Sequence, residues 1–331
     1  MESLLEWGIP WILALQNLGN WLTGVMKAFT FMGNEEFYLI VAPILFWFVD
    51  TSLGLRMGLI LMLSGGFNSI LKLSLAYPRP YWVDPTVIAY TTETSFGAPC
   101  GHAQNAMAAW GTLAASQKKA WAWAAAGILI FLIGISRLYL GVHFPLDTLV
   151  GWIVGAFLLI ILFKFEPRLI KWLKRYAPYQ QTLLVLLVSL SLIAVGALIR
   201  HLQGAWEFPA SWLKTIAITA PEAELPTPMA LSGLISNMGA FFGLAAGYIG
   251  LRLRGSYQPR GTWQQILIRY VLGLIGVLLI WKGLDLILPG DETLIGYTCR
   301  FLRYSLVGLW VTGLAPYLFI RLKLAEPRLG N

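Results

Sequence analysis

The chain has 331 residues, of which 57% are hydrophobic and only 12% charged, and its mean hydropathy is +0.68. These values lie far outside those of a soluble globular chain and fit a protein whose solvent is the bilayer. The formal charge of +8 does not mark a nucleic-acid binder, because the basic residues fall mostly at the ends of apolar segments, where membrane orientation places them.

Residues 1–35 open with Glu2 and Glu6, carry no basic cluster ahead of their apolar residues and hold Pro10, so they read as interfacial helices rather than a cleaved secretory signal. Trp7, Trp11 and Trp21 suit the headgroup zone; one extra spanning helix is the alternative. From residue 36 onward, apolar runs approach or exceed the length of about 20 residues that crosses the hydrocarbon core as a helix. In lipid each backbone polar group needs an internal partner, and runs of this length point to helices rather than a barrel. They predict about nine spans, at 36–49, 54–76, 102–117, 120–140, 143–163, 180–200, 228–250, 264–288 and 298–320.

Orientation follows from the basic residues. The break at 165–179, where Arg168, Lys171, Lys174 and Arg175 follow Lys164, is expected to be cytoplasmic, whereas the loop at 202–226 carries Glu207, Glu222 and Glu224 against Lys214. Counting from that anchor puts the N-terminus outside and the C-terminus inside. Three polar stretches then meet on the outer, periplasmic or lumenal face: the end of the second span, the start of the third and the turn between the fourth and fifth.

The first stretch reads Lys72-Leu-Ser-Leu-Ala-Tyr-Pro-Arg79-Pro80 and sets two cations about two helical turns apart, within reach of one anion. Alone, such residues also serve as snorkelling anchors. The second, Pro99-Cys100-Gly101-His102, heads an apolar helix whose first N–H groups and positive dipole end suit a phosphate, although a glycine turn with a helix-start histidine is often only a cap. The third, from Ser136-Arg137 to His143-Phe-Pro-Leu-Asp147, places an imidazole and a carboxylate four residues apart at a helix start, and an ionisable group there is costly unless it has a task.

Together the stretches resemble the signature of the type 2 phosphatidic acid phosphatase superfamily: K-x6-R-P, then P-S-G-H, then S-R-x5-H-x3-D. The segments Arg79-Pro80-Tyr81-Trp82 and Glu93-Thr-Ser-Phe-Gly97-Ala-Pro99 are also similar to those of the glucose-6-phosphatases. The resemblance implies an all-α integral-membrane fold with a six-helix catalytic core and additional C-terminal transmembrane helices. In those terms 1–35 would be interfacial, 36–200 the catalytic core, and 201–331 a three-helix region of unassigned role.

By the same resemblance, His143 attacks phosphorus to form a phosphohistidine, Asp147 orients its ring, and His102 protonates the leaving oxygen and then activates water. Lys72, Arg79, Ser136 and Arg137, with the amides of Cys100 and Gly101, would hold the phosphoryl oxygens, with no metal and no other cofactor. The family's serine is Cys100 here, and a thiol is a weaker donor than a hydroxyl; a cysteine-nucleophile phosphatase would want arginine six residues on, where Ala106 stands. The remaining histidine, His201, reads as interfacial; Arg300 and Arg303, with Tyr297 and Tyr304, face the compartment of the site on this topology, and they read first as anchors at a helix end and alternatively as contacts to a substrate headgroup. The expected substrate is a lipid phosphate or pyrophosphate drawn from the surrounding membrane lipids, with a small sugar phosphate as the alternative. A non-catalytic membrane transport or binding protein is the reading from another class.

Overall fold

The structure, a computed structural model, describes residues 2–255 and 257–327. Apart from one isolated bridge between Tyr257 and Pro327, the described residues form helices, turns and loops. Helix α1 (Glu2–Gln16) buries Ile9 and Ile12 and turns Trp7 and Trp11 outward; a short turn at Asn20–Leu22, with Trp21 exposed, leads to α2 (Thr23–Phe31). Helix α3 (Glu35–Ile44) widens into a π-helical turn at Leu45–Val49 before α4 (Thr51–Leu75).

Helix α4 ends because Ala76 adopts a left-handed conformation (φ 47°), with Pro78 and Pro80 barring continuation. Its chain turns into the single turn α5 (Pro80–Val83) and then a loop to α6 (Gly101–Gln117). Helices α7 (Ala120–Tyr139), α8 (Pro145–Leu173) and α9 (Pro178–Leu202) follow, then the short α10 (Ala210–Thr219). Helices α11 (Ser232–Leu253), α12 (Trp263–Leu278), α13 (Leu294–Leu309) and α14 (Ala315–Arg321) complete the chain. Thr262 and Gln265 close the start of α12 with a reciprocal capping box.

Six helical runs among the described residues are long and apolar enough to cross a membrane. The expected spans at 36–49, 102–117 and 298–320 fall outside that set: the first is a shorter apolar helix, α6 runs for 17 residues, and α13, which carries Arg300 and Arg303, continues through a π-helical turn at Trp310–Leu314 into α14. The expected break at 165–179 also begins later than its charges suggest. Helix α8 continues to Leu173 despite Pro167, with the cations of Lys164 and Arg168 lying 5.8 and 5.9 Å from the centre of the Phe165 ring.

Two compact units emerge. The first comprises the residues up to Phe37, Phe67–Ile160 and Gly196–Ala230. Its core joins Ile12, Tyr81, Trp82, Phe96, Tyr139, Val142, Phe144 and Ile216. Within it the start of α8 lies directly against α6, because Gly151 and Gly155 present no side chain: a Cβ at either would come within 2.6 Å of the Cys100 carbonyl oxygen or 2.5 Å of that of Gln104. Small residues four apart are the usual means of close helix approach in lipid, where apolar burial gives no advantage over contact with the acyl chains. The second unit holds Tyr38–Gly66, Ile161–Val195 and the residues from Leu231 onward. There Gly239, Gly243 and Gly247 of α11 form a similar seam against the carbonyls of Phe301, Ser305 and Leu309 on α13.

The α6–α8 seam gives a direct test. Gly151→Val meets backbone that cannot step aside, so it should destabilise the detergent-solubilised protein by about 1–3 kcal/mol and reduce activity. Gly127→Ala, where a Cβ meets nothing within 4 Å, should leave both unchanged. Thermal unfolding of the two variants checks this; equal stability would mean the seam is not close-packed.

Candidate active site

Arg79 follows the left-handed turn at Ala76 and is wholly buried. Each of its N–H groups has an acceptor within the first unit. Nε donates to the Ser95 carbonyl at 2.6 Å, Nη2 to the Ser95 hydroxyl at 3.1 Å and the Phe96 carbonyl at 3.0 Å, and Nη1 to the Val142 carbonyl at 3.0 Å. The remaining Nη1 donor faces Nε2 of His143 at 3.3 Å. Guanidinium only donates, so this contact requires the lone pair of His143 to lie on Nε2.

The other ring nitrogen, Nδ1, then carries the proton and donates to Oδ2 of Asp147 at 3.3 Å. That same oxygen accepts the Phe144 N–H at 2.9 Å, which fixes the carboxylate against the turn carrying the histidine. The structure therefore joins the expected pair, but His143 precedes the helix: α8 starts at Pro145, not at 143. Burial first, and then Arg79, Arg137, Lys72 and His102, hold the His143 imidazole well below the ordinary histidine pKa, so it is neutral at neutral pH.

Lys72 in the last turn of α4 donates to the Ser95 hydroxyl at 2.9 Å, and Arg79 reaches the same oxygen. Both cations of the first motif thus converge on one acceptor. Arg137, near the end of α7, is buried and paired with Glu93 through Nη2, while its Nη1 donates to the Thr30 hydroxyl at 2.6 Å. Its Nε is buried among the described residues without a hydrogen-bond partner. Burial alone would raise the Glu93 carboxyl, but Arg137, Arg79, His102 and Lys72 outweigh it and hold the group well below the usual carboxylate range.

His102, in the first turn of α6, has Nε2 at 2.7 Å from Oδ1 of Asn34. Gly101 heads that helix beside the Asn68 side chain, which donates to the Pro99 carbonyl at 3.1 Å and to Gln104 Oε1 at 2.9 Å. Two expected contributions differ in the structure. The Cys100 N–H donates to the Asp147 backbone carbonyl at 2.9 Å, because the glycine seam brings the start of α8 onto α6, so that amide is engaged rather than turned to a ligand. Burial raises the Cys100 thiol pKa, which keeps it protonated. Ser136 is also fully buried, with its hydroxyl turned back to the Ile133 carbonyl at 2.7 Å, the local alternative open to a serine inside a helix.

Thr30, Asn34, Glu93 and Ser95 join the cluster without being expected as site residues. In the sequence Glu93 and Ser95 are visible only as part of a longer matching segment, and a polar pair flanking the end of an interfacial helix carries no signature of its own. The loop holding them is packed from outside by aromatic residues of the first unit: Trp206 lies edge-on to Phe96 at 5.2 Å, Phe208 and Trp212 meet Trp82, and Thr219 donates to the Tyr81 carbonyl at 2.8 Å. Arg300 and Arg303 lie in the second unit, where Arg300 donates to the Gly290 carbonyl and Arg303 pairs with Asp285. Among the described residues no group of three or more His, Cys, Asp and Glu side chains is placed to hold a metal.

Comparison with known proteins follows the same residues. The sequence model of the PAP2 superfamily matches residues 53–171, and that of the PAP2 superfamily phosphatase transmembrane extension matches residues 235–327. Phosphatidylglycerophosphatase B of Bacillus subtilis is 32% identical over 162 residues, covering 45% of this chain and 77% of the relative. Human glucose-6-phosphatase 3 is 25% identical over 348 residues, covering 96% of this chain and 95% of the relative. The crystal structure of the transmembrane PAP2-type phosphatidylglycerolphosphate phosphatase from Bacillus subtilis is 29% identical, with a TM-score of 0.42 over 47% of this chain and 84% of that one. With two separate segments matched by family models and a relative 32% identical covered over 77% of its length, the chain belongs to the PAP2 superfamily and is an integral-membrane phosphatase.

Proposed function

We propose that the protein hydrolyses a lipid phosphate or diphosphate on the outer, periplasmic or lumenal, face of its membrane, through a phosphohistidine on His143. The observation that carries this reading is the ring of His143 held between a carboxylate at Nδ1 and a cation at Nε2. Asp147 keeps the proton on Nδ1, which leaves the Nε2 lone pair directed toward the donors of Arg79. A phosphoryl group entering between them meets the nucleophile on one side and the arginine fork on the other.

The lone pair of His143 Nε2 forms the bond to phosphorus as the ester or anhydride P–O bond breaks, and the leaving oxygen takes a proton from His102, which burial and the neighbouring cations keep neutral in the free protein and which charges once the bound phosphate offsets those cations. Asp147 offsets the positive charge that develops on the His143 ring. His102, now neutral, removes a proton from water; the resulting oxygen attacks phosphorus, the P–N bond breaks, and the electron pair returns to His143. Lys72, Arg79 and Arg137 supply the charge that stabilises the phosphoryl oxygens, with Gly101 allowing close approach at the helix start. No step requires a metal. In this reading the catalytic core lies in 36–200, and 201–331 adds further transmembrane helices.

The lipid reading draws support from the higher identity of the catalytic half to a named phosphatidylglycerophosphatase. A sugar-phosphatase reading has its own support, since the match to human glucose-6-phosphatase 3 runs through nearly the whole chain. Phosphate release from undecaprenyl pyrophosphate, phosphatidate and glucose 6-phosphate separates the two. We expect the lipid substrates to be favoured, EDTA to leave the rate unchanged, and His143→Ala to lower it by about four orders of magnitude. An active His143→Ala protein, or a rate that requires Mg2+, would contradict the mechanism; a preference for glucose 6-phosphate would favour the second reading.

The low pKa of His143 predicts the acid side of the pH profile. A nucleophile held below its ordinary value stays unprotonated as the pH falls, so kcat/KM should hold through about pH 6.5 and decline only under more acid conditions. Lys72→Met removes one of the cations that lower this pKa, so the decline should move to higher pH while KM rises. A decline centred on the ordinary histidine value, or one that Lys72→Met leaves in place, would contradict the assignment.

A further inference from the structure

We infer that Asn34 is a positioning residue that acts through His102: it fixes the ring orientation and presents the Nε2 proton for transfer to the leaving oxygen. The inference rests on the role given to His102 above. Asn34 lies outside the segment matched by the superfamily model, which begins at residue 53.

The side-chain oxygen of Asn34 is 2.7 Å from His102 Nε2. An amide oxygen only accepts, so while this contact lasts Nε2 carries a proton; the charged ring gives up that proton when the leaving oxygen takes the place of Asn34, and is left neutral with its remaining proton on Nδ1. The asparagine is itself held at several points. Helix α2 is tied to α7 by Thr23 to the Tyr139 hydroxyl at 3.0 Å and by Arg137 to Thr30 at 2.6 Å. Its last turn closes with Gly33 N–H to the Thr30 carbonyl at 2.9 Å and Asn34 N–H to the Phe31 carbonyl at 3.1 Å. Gly33 lets that turn lie flat against the histidine, since a Cβ there would sit 2.9 Å from Ile133 Cγ2 and 3.1 Å from His102 Cδ2.

The charged groups around the ring are Arg137 from α7, Lys72 from the end of α4, Arg79 from the turn before α5 and Glu93 from the loop before α6. The ring must exchange a proton among these charges, and a neutral amide suits that task. A carboxylate at position 34 would hold the proton too firmly, and an apolar side chain would leave the N–H without direction. The leaving oxygen approaches as an acceptor of the same kind and at the same distance, so the hydrogen bond can pass from Asn34 to the substrate at little net cost.

The test compares an alkyl with an activated aryl ester in the purified full-length protein. The leaving group of phosphatidate is an alkoxide and needs the proton, whereas that of p-nitrophenyl phosphate is a stable phenolate and does not. Asn34→Ala should lose about 10- to 100-fold in kcat on phosphatidate but less than about 3-fold on p-nitrophenyl phosphate. His102→Ala should give the same pattern more strongly. Asn34→Asp places a negative charge beside the imidazole and should move the alkaline limb of kcat upward by about one pH unit or more. If His102→Ala distinguishes the esters but neither Asn34 variant does so or shifts the pH limb, the inference is overturned and the proposed mechanism stands. If His102→Ala affects both esters equally, the role given to His102 fails and this inference fails with it.

Discussion

The buried guanidinium of Arg79 is the interaction on which the site depends. Its donors reach the loop at residues 95–96 and the turn at 142–143, segments separated in the sequence by α6 and α7. Without it neither loop has a common reference, and Ser95, His143 and the end of α4 need not share one region. A buried arginine is costly to desolvate, and here the cost is offset by hydrogen bonds to each of its N–H groups. Arginine suits the place because its planar fork addresses several carbonyls at once while its charge remains available to an anion; lysine at the same point would supply the charge without the fork.

The cluster is also out of electrostatic balance in a way that suits its chemistry. Lys72, Arg79 and Arg137 gather in the first unit, and Glu93 pairs with Arg137. Asp147 is committed to His143 and to the Phe144 amide. Three cations beside two carboxylates, in surroundings drier than water, favour a doubly charged phosphoryl group over a neutral or singly charged ligand. Burial, joined by the same excess charge, keeps the His143 imidazole neutral, as the proposed attack on phosphorus requires.

Much of this was legible in the sequence because membrane helices restrict the possibilities. Apolar length located most of the helices, and the motif spacings placed Lys72 with Arg79 and His143 with Asp147. Other features depend on tertiary approach and leave little local trace. The Cys100 amide is taken by Asp147 only because Gly151 and Gly155 draw two helices together. Ser136 lies inside a recognised motif, yet it bonds within its own helix. Thr30 and Asn34 reach the site from an N-terminal segment that, by composition, reads only as interfacial. The aromatic packing of Trp206, Phe208 and Trp212 on Trp82 and Phe96 likewise joins positions more than a hundred residues apart, beyond the reach of any periodicity.

The central claim is that His143 carries the phosphoryl group. Rapid acid-free quenching of the full-length protein during turnover of p-nitrophenyl phosphate, followed by peptide mass spectrometry, tests it most directly. The account predicts a phosphoryl group on the peptide containing His143, stable in base and lost in acid as a P–N bond requires. A phosphorylated Cys100 peptide, or no covalent intermediate while turnover proceeds, would contradict it.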